Sequence, residues 1–483
     1  MKNVECVCGL DVGTSGAKAL AVDQKGRVIA RAESRFAQPP YIPAPGRSEQ
    51  DAEQWWGAVK TCLRQLSAQM GNYRIVAVAT DSTSGTIVPV DGKGSPLIPA
   101  MMYNDDRASG LQLEVQEAAK DLTERLGYSF PSVFSLVKLV WLRKEKPDVL
   151  QATHKFLHAA DFIVGRLTGN FDSTDTSNAL KSGVDLISGT WPEFIEFRLG
   201  LPLSKFPKVF RPGEKVGEVS VAASEETDLK AGTPVIAGAS DGTASFLASG
   251  TKAPGDWNFN LGTTLAIRGI SDKLIRDPKG RLYCHRHPEG YWLPGGASNV
   301  GGEVLLQKFG EKRLSDLDRA SLDHLPTRLT VYPLIRRGER MPFVSSQAEG
   351  FVLGKAISES ELYAGYLEGI AAITMWSIEE TKALGADVAG EYFFSGGGGR
   401  GEVLGHLMAS AVRKSLVKTK EPEAAMGSAL LAAGWCWYKG SVSAAQAQMV
   451  QREKVFEPIR TMIEPLTDKL EALKKECQRR GYL

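Results

Sequence analysis

The chain has 483 residues, 43% hydrophobic and 24% charged, with a formal net charge of +2. That length accommodates two or three domains with substantial cores, and the composition is that of an ordinary soluble globular protein. So small a net charge, without a dense Lys/Arg block, argues against a nucleic-acid surface. The longest apolar candidate for a membrane span, Ala429 to Tyr438, is too short, contains Gly434 and reads as a core helix. Glu5 interrupts the start, where a strand-like pattern begins at once, so no signal peptide is expected. Six cysteines without a Cys-x-x-Cys pair make no disulfide framework; Cys6 and Cys8 alternate on one strand face as packing residues. A cytoplasmic protein is the expectation.

The pattern begins with Val7 to Val22. An apolar run enters Asp11, then Gly13-Thr14-Ser15-Gly16 follow, and a second apolar run ends at Val22. Asp23-Gln24-Lys25-Gly26 has turn chemistry, so the glycine-rich turn joins strand to strand. A Walker loop or dinucleotide fingerprint needs a helix directly after its glycines, and neither spacing matches. The remaining reading is a hairpin whose Gly13, Thr14 and Ser15 amides converge on phosphate oxygens, Gly13 and Gly16 allowing close backbone approach. Asp11 would hold a metal ion through water, and Lys18 would add a point charge. An ordinary Gly-Thr-Ser turn is the alternative.

Downstream, Gln38 to Gly46 is a proline-rich loop. Asp51 and Gln54 read as a capping box before an amphipathic helix carrying Trp55, Val59, Leu63 and Leu66. Ile75 to Thr80 is a buried-type strand running into Asp81-Ser82-Thr83-Ser84-Gly85-Thr86, where ligands of open α/β sheets sit. Ser84 there is a candidate to hydrogen-bond a ligand, against a plain strand-ending turn. Asp105 and Arg107 pair a carboxylate with a guanidinium suited to adjacent hydroxyls, or mark solvated surface. Lys138, on an otherwise apolar helix, needs a partner or snorkels. Pro212 to Pro234 reads as the approach to a domain boundary. Val235 to Ala239 is then a strand ending in Asp241-Gly242, a carboxylate placed to accept a hydroxyl proton or to form a common turn. His285-Arg286-His287 reads as surface polarity, and Tyr291 to Gly302 as a stretch permitting close backbone approach.

Trp257 to Ile267 repeats the opening motif, with Gly262-Thr263-Thr264 between apolar runs, about half the chain from Gly13. Two such hairpins suggest two related domains closing on one nucleotide. This arrangement resembles the actin-like ATPase superfamily and, within it, the FGGY carbohydrate kinases. Ser48-Glu49-Gln50-Asp51, Tyr103-Asn104-Asp105-Asp106-Arg107, Ser135 to Leu142, Asp161, Thr174 to Ala179, Gly338 to Pro342 and the start of a helix at Tyr366 follow the family's order. Ser395 to Arg400 lies between a strand and a helix from Glu402, where stacked glycines would let adenine lie against backbone and helix-start amides serve the α-phosphate. The family usually has Asn or Ser where Gly401 stands. Ala425-Met426-Gly427 opens the last core helix, and a charged helix is expected from about Glu453.

The resemblance implies an α/β fold of two actin-like (ribonuclease H-like) domains with a nucleotide cleft between them. Residues 1–234 would hold the sugar side, 235–440 the second hairpin and adenosine motif, and 441–483 a helical tail. It implies ATP with Mg²⁺, the ATP site comprising Asp11 near the metal, Gly13, Thr14, Ser15, Lys18, Gly262, Thr263 and Thr264 at the phosphates, and Gly397, Gly398 and Gly399 at the adenosine. It implies a sugar at Ser84, Asp105, Arg107, Lys138 and Asp241, with Asp241 the general base. The motifs at 81–86, 103–107, 295–299 and 337–340 are most similar to the D-ribulose kinase branch, with D-xylulose or another ketose or polyol close behind. Expected partners are a ketopentose and ATP, without nucleic acid or membrane, in a monomer or homodimer. The different class to exclude is a chaperone- or filament-type ATPase.

Overall fold

The computed structural model describes residues 4–397 and 401–483. The chain divides into two compact units, one comprising Met1–Ala248, His285–Gly290 and Glu423–Val450, the other Ser249–Cys284, Tyr291–Pro422 and Gln451–Leu483. The boundary expected at residue 234 thus falls after Ala248, and residues 441–483 are divided between the units instead of standing as a separate tail.

In the first unit β1 (Val4–Val12), β2 (Gly16–Asp23), β3 (Val28–Arg35), β4 (Tyr73–Ser82), β5 (Lys215–Glu218) and β6 (Pro234–Ile236) form one sheet in the order β5-β6-β4-β1-β2-β3. Alternation along β1 decides its two faces. Cys6, Cys8, Leu10 and Val12 pack with α1 (Ala52–Gln69) in one core, whereas Val7 packs in a second core with α4's Leu247 and Ala248 and α5's Ala425 and Ala429. Here α2 is Ser135–Glu145, α3 Ala159–Thr168, α4 Asp241–Ala248 and α5 Ala424–Trp437. The six cysteines are free. Gly9 is required by this packing, since a Cβ there would meet the Ala425 carbonyl oxygen of α5 at 1.8 Å. The capping box expected at α1 is not made. Asp51 caps through the Glu53 amide (2.9 Å), but Gln54 accepts from the Gln38 amide and so ties the proline-rich loop to the helix.

In the second unit β7 (Trp257–Leu261), β8 (Leu265–Gly269), β9 (Leu282–Arg286), β10 (Trp292–Ser298), β11 (Tyr392–Ser395), β12 (Leu416–Thr419) and β13 (Arg452–Phe456) run in the order β9-β10-β8-β7-β11-β12-β13. Its pairing repeats the first sheet: an antiparallel hairpin, a third antiparallel strand on its outer side, two parallel strands on the other and an antiparallel edge. The long helix expected from Tyr366 begins at Glu359, where Ser358 accepts the Glu361 amide as N-cap. The charged helix expected from Glu453 begins instead at Ile463, because residues 452–456 pair with β12 as an edge strand. His285 and His287, read as surface polarity, are buried. Among the described residues no helix is long and apolar enough to cross a membrane.

Candidate functional site

The first glycine turn closes on itself. The Gly13 amide donates to the Gly16 carbonyl at 3.0 Å, while the Ser15 and Thr14 carbonyls accept from the Phe36 amide and the Gln50 side chain. Gly13 is therefore part of the turn's own bonding, and the amides left to meet an anion are those of Thr14 and Ser15. Gly16 is hemmed in by β3, where a Cβ would lie 2.5 Å from the Ser34 oxygen. A Cβ at Gly13 would meet nothing nearer than 3.6 Å, so the surrounding protein does not demand glycine there.

Strand register builds a row of charges beside this turn. Asp11 stands opposite Lys18 across the hairpin and opposite Asp81 on β4, so the three side chains share one face. Lys18 also lies 3.8 Å from Glu423 at the start of α5. Asp81 Oδ2 accepts from the Ser428 hydroxyl at 2.6 Å, whereas Asp81 Oδ1 is buried without a hydrogen-bond partner among the described residues. Burial pushes the Asp11 carboxyl up to about 6, with Asp241 raising it further and Asp81 and Lys18 pulling against the rise. Burial and then the neighbouring Asp11 push Asp81 well above the usual carboxylate range. Asp241 opens α4, one residue after a bridge that pairs Ser240 with Ser82 at the end of β4. The sheet thus gathers three carboxyl groups at adjacent strand ends. The sequence places Asp81 in the candidate strand-end stretch 81–86, from which only Ser84 is singled out.

The sugar-side candidates divide. Ser84 Oγ is buried without a partner among the described residues, while the Ser84 carbonyl is held by Lys181 at 2.8 Å. Asp105 is wholly buried, accepting the Ser48 amide and both Nε and Nη2 of Arg107, and Arg107 also reaches Glu49 at 2.7 Å. Lys138 is also wholly buried; its ammonium donates to the carbonyls of Gly85 and Met102. Two of its three hydrogens are thereby engaged with backbone, and burial brings its pKa down to about 7. Lys138 and Lys181 together fix the loop that presents Ser84. Asp161 accepts the amide and ring Nδ1 of His158 in a capping box at α3.

In the second unit the turn is again self-closed, Gly262 donating to the Thr264 oxygen at 3.0 Å and its carbonyl accepting from Gly302. A Cβ on Gly262 would meet nothing nearer than 3.9 Å, whereas one on Gly301 would strike the Thr263 oxygen at 2.2 Å. The small-residue stretch up to Gly302 therefore serves close packing on the turn. Glu339 fastens it further, accepting from Ser298, the Asn299 amide and Tyr332. A cavity of ≈ 980 Å³ opens beside Gly262 and Thr263, reaching Gly302, Asp318, Tyr363 and Gly397. Its walls come mainly from residues 303–322, which sequence reasoning did not single out because they are ordinary amphipathic helix. Gly398 and Gly399 lie outside the described residues. Gly401 leaves the helix Glu402–Val412 without a side-chain cap of its own, and Asp318 substitutes, accepting the Val403 amide at 3.4 Å. A Cβ at Gly401 would lie 2.3 Å from Asp318 Oδ1, so this carboxyl occupies the space a larger residue would need.

Two sheets sharing a pairing pattern over six strands, each with a glycine–hydroxyl turn in its central hairpin, constitute the actin-like ATPase fold of the carbohydrate kinases. Residues 6–248 match the FGGY family of carbohydrate kinases, N-terminal domain, and residues 257–435 its C-terminal domain. The chain belongs to that family and is a carbohydrate kinase. A xylulose kinase of Streptomyces rubiginosus is 29% identical over 438 residues, covering 89% of this chain and 87% of its own. A gluconokinase of Bacillus subtilis (strain 168) is 24% identical over 382 residues, covering 75% and 74%. The crystal structure of a xylulose kinase from Rhodospirillum rubrum superposes with a TM-score of 0.88 at 25% identity, covering 98% of both chains.

Proposed function

We propose that the chain transfers the γ-phosphoryl group of ATP to the terminal hydroxyl of a ketopentose. Asp241 is the general base. It takes the hydroxyl proton as that oxygen bonds to the γ-phosphorus, and the bond to the departing ADP breaks with its electron pair leaving on ADP. The Thr14, Ser15, Thr263 and Thr264 amides and Lys18 bind phosphate, and Gly397 with the adjoining cavity receives the adenosine. Ser84 offers its unengaged hydroxyl to the sugar, and Asp105 and Arg107 form the polar wall behind it. Asp11, paired with Asp81 across the strands, would offer carboxylate oxygen to a hydrated Mg²⁺. Bound there, the ion would neutralise phosphate charge.

The observation that carries this reading is the carboxyl cluster itself. Three acidic groups at neighbouring strand ends, one raised to about 6 and one with a buried unpaired oxygen, are costly to a fold that gains nothing from them. A chaperone- or filament-type ATPase is disfavoured by family membership. The acceptor is drawn from two sources: the four sequence motifs favour D-ribulose, and the relatives named xylulose kinase favour D-xylulose. A panel of pentuloses, hexuloses, pentitols, gluconate and glycerol, scored by coupled ADP release, tests the reading. Stoichiometric phosphorylation of a pentulose above the other classes is expected; ATPase activity indifferent to every sugar overturns it.

A further inference from the structure

A buried polar chain runs from β4's neighbourhood to the backbone just before Asp241. Asp175, shielded from solvent, accepts through Oδ1 from the Ser177 amide (2.8 Å), the Ser177 hydroxyl (2.6 Å) and the Asn178 amide (3.0 Å), and through Oδ2 from the Asn178 side chain (2.6 Å). The Ser177 hydroxyl, its proton committed to Asp175, accepts the Ser240 amide at 2.7 Å. Ser240 immediately precedes Asp241 and supplies the carbonyl that receives the Thr243 and Ala244 amides in the first turn of α4. Its own hydroxyl donates to Thr243. The entry of α4, and with it the direction of its first side chain, is thus referred to Ser177.

The arrangement is more expensive than packing needs. Burial and the nearby Asp161 raise the Asp175 carboxyl, and a neutral side chain at 175 would avoid that cost. The bonds Asp175 accepts, however, commit the serine's proton and fix which way its hydroxyl points, leaving the oxygen lone pair for Ser240. An aspartate base is sensitive to such placement, because about an ångström of misplacement costs on the order of a hundredfold in rate.

We propose that Ser177, oriented by Asp175, is a positioning residue for Asp241: it sets the backbone from which the base reaches the acceptor hydroxyl. This inference rests on the kinase reading above. In the full-length protein, with ATP and D-xylulose or D-ribulose, Ser177→Ala is expected to lower kcat by about ten- to a hundredfold with KM for ATP unchanged. Ser177→Cys, similar in shape but a weaker acceptor, should fall between and keeps the test open if the alanine variant does not fold. Ser182→Ala removes a bond of the same buried neighbourhood, to His158 Nε2 at 2.9 Å, that leads away from Ser240. It should lower the melting temperature yet keep kcat within about threefold, which a merely structural role for Ser177 would not distinguish. Wild-type kcat in both Ser177 variants, or equal kcat losses in Ser177→Ala and Ser182→Ala, overturns the inference. Asp241→Asn serves as reference. Should it be inactive while the Ser177 variants turn over normally, only the positioning falls; should it turn over normally, the assignment of the base falls too.

Discussion

Both glycine turns are closed by the glycine's own amide, Gly13 on the Gly16 carbonyl and Gly262 on the Thr264 carbonyl, but their surroundings are opposite. The turn at Gly13 lies beside Asp11, Asp81 and Asp241, of which Asp81 is wholly buried and Asp241 helps to raise the Asp11 carboxyl. The turn at Gly262 has Asn260 where the first has Asp11, two residues before the glycine, and beside it opens a cavity of ≈ 980 Å³. One duplicated scaffold thus carries charge chemistry in one copy and room for a large ligand in the other. The lesson is that the repeated pairing sets where each glycine turn stands, while the residues flanking each turn decide what that copy contributes.

The largest expected effect belongs to the charged copy. Asp241→Ala should lose sugar phosphorylation by about three orders of magnitude while ATP still binds, as measured by steady-state kinetics beside nucleotide titration. Near-normal turnover would leave the carboxyl corner without its base. Next come matched variants of the turns themselves. Gly13→Val and Gly262→Val should each raise KM for ATP about ten- to a hundredfold, the loss of one or two charge-assisted bonds. Gly13→Ala and Gly262→Ala should melt close to wild type, since a methyl strikes nothing at either site. If one valine variant binds ATP normally, the symmetry of the two turns is broken and that turn serves structure alone.

A pH-dependent effect sharpens the contrast between Asp11 and Asn260. Folding raises the Asp11 carboxyl from the 3.8 of a free aspartate to about 6, so the protonated form is favoured in the native state. Asp11 therefore costs nothing below about pH 4, and its penalty grows as pH rises to about 6 and is complete above. Asp11→Asn, which copies the second turn, should be more stable at pH 7 by about 1–3 kcal/mol in chemical denaturation, the gain vanishing below about pH 4. A gain that persists at pH 3.5 would show that charge is not the cause. The smallest effect is at the cavity rim. Asp318→Ala removes the cap of the helix Glu402–Val412 and should cost about 1 kcal/mol of stability without lowering kcat. A large kcat loss would place Asp318 in the chemistry instead.

Much of the scaffold was legible. Both hairpins, the helix carrying Trp55 and the core role of Cys6 and Cys8 follow from periodicity and turn residues, which are local signals; the strand expected over Val235 to Ala239 is found at Pro234–Ile236. The family was legible from motif order. Elements whose state depends on a distant partner were misread. Residues 452–456 look helical by charge but are held extended by β12, and the Gln54 side chain was assigned to a cap but bonds to Gln38. Lys138 was legible as a lysine needing a partner, but not as one satisfied by two carbonyls of distant segments.

The sequence by itself determined the class of fold, the two glycine–hydroxyl turns and the candidate carboxylate, because glycine placement and alternating apolar runs act through neighbours in the chain. Only the tertiary structure decided that Asp11, Asp81 and Asp241 press on one another, that Asp318 fills the space beside Gly401, and that Ser177 grips the backbone before Asp241. Those facts depend on strand register and helix approach across tens to hundreds of residues, and protonation in particular depends on burial, which no single stretch of sequence contains.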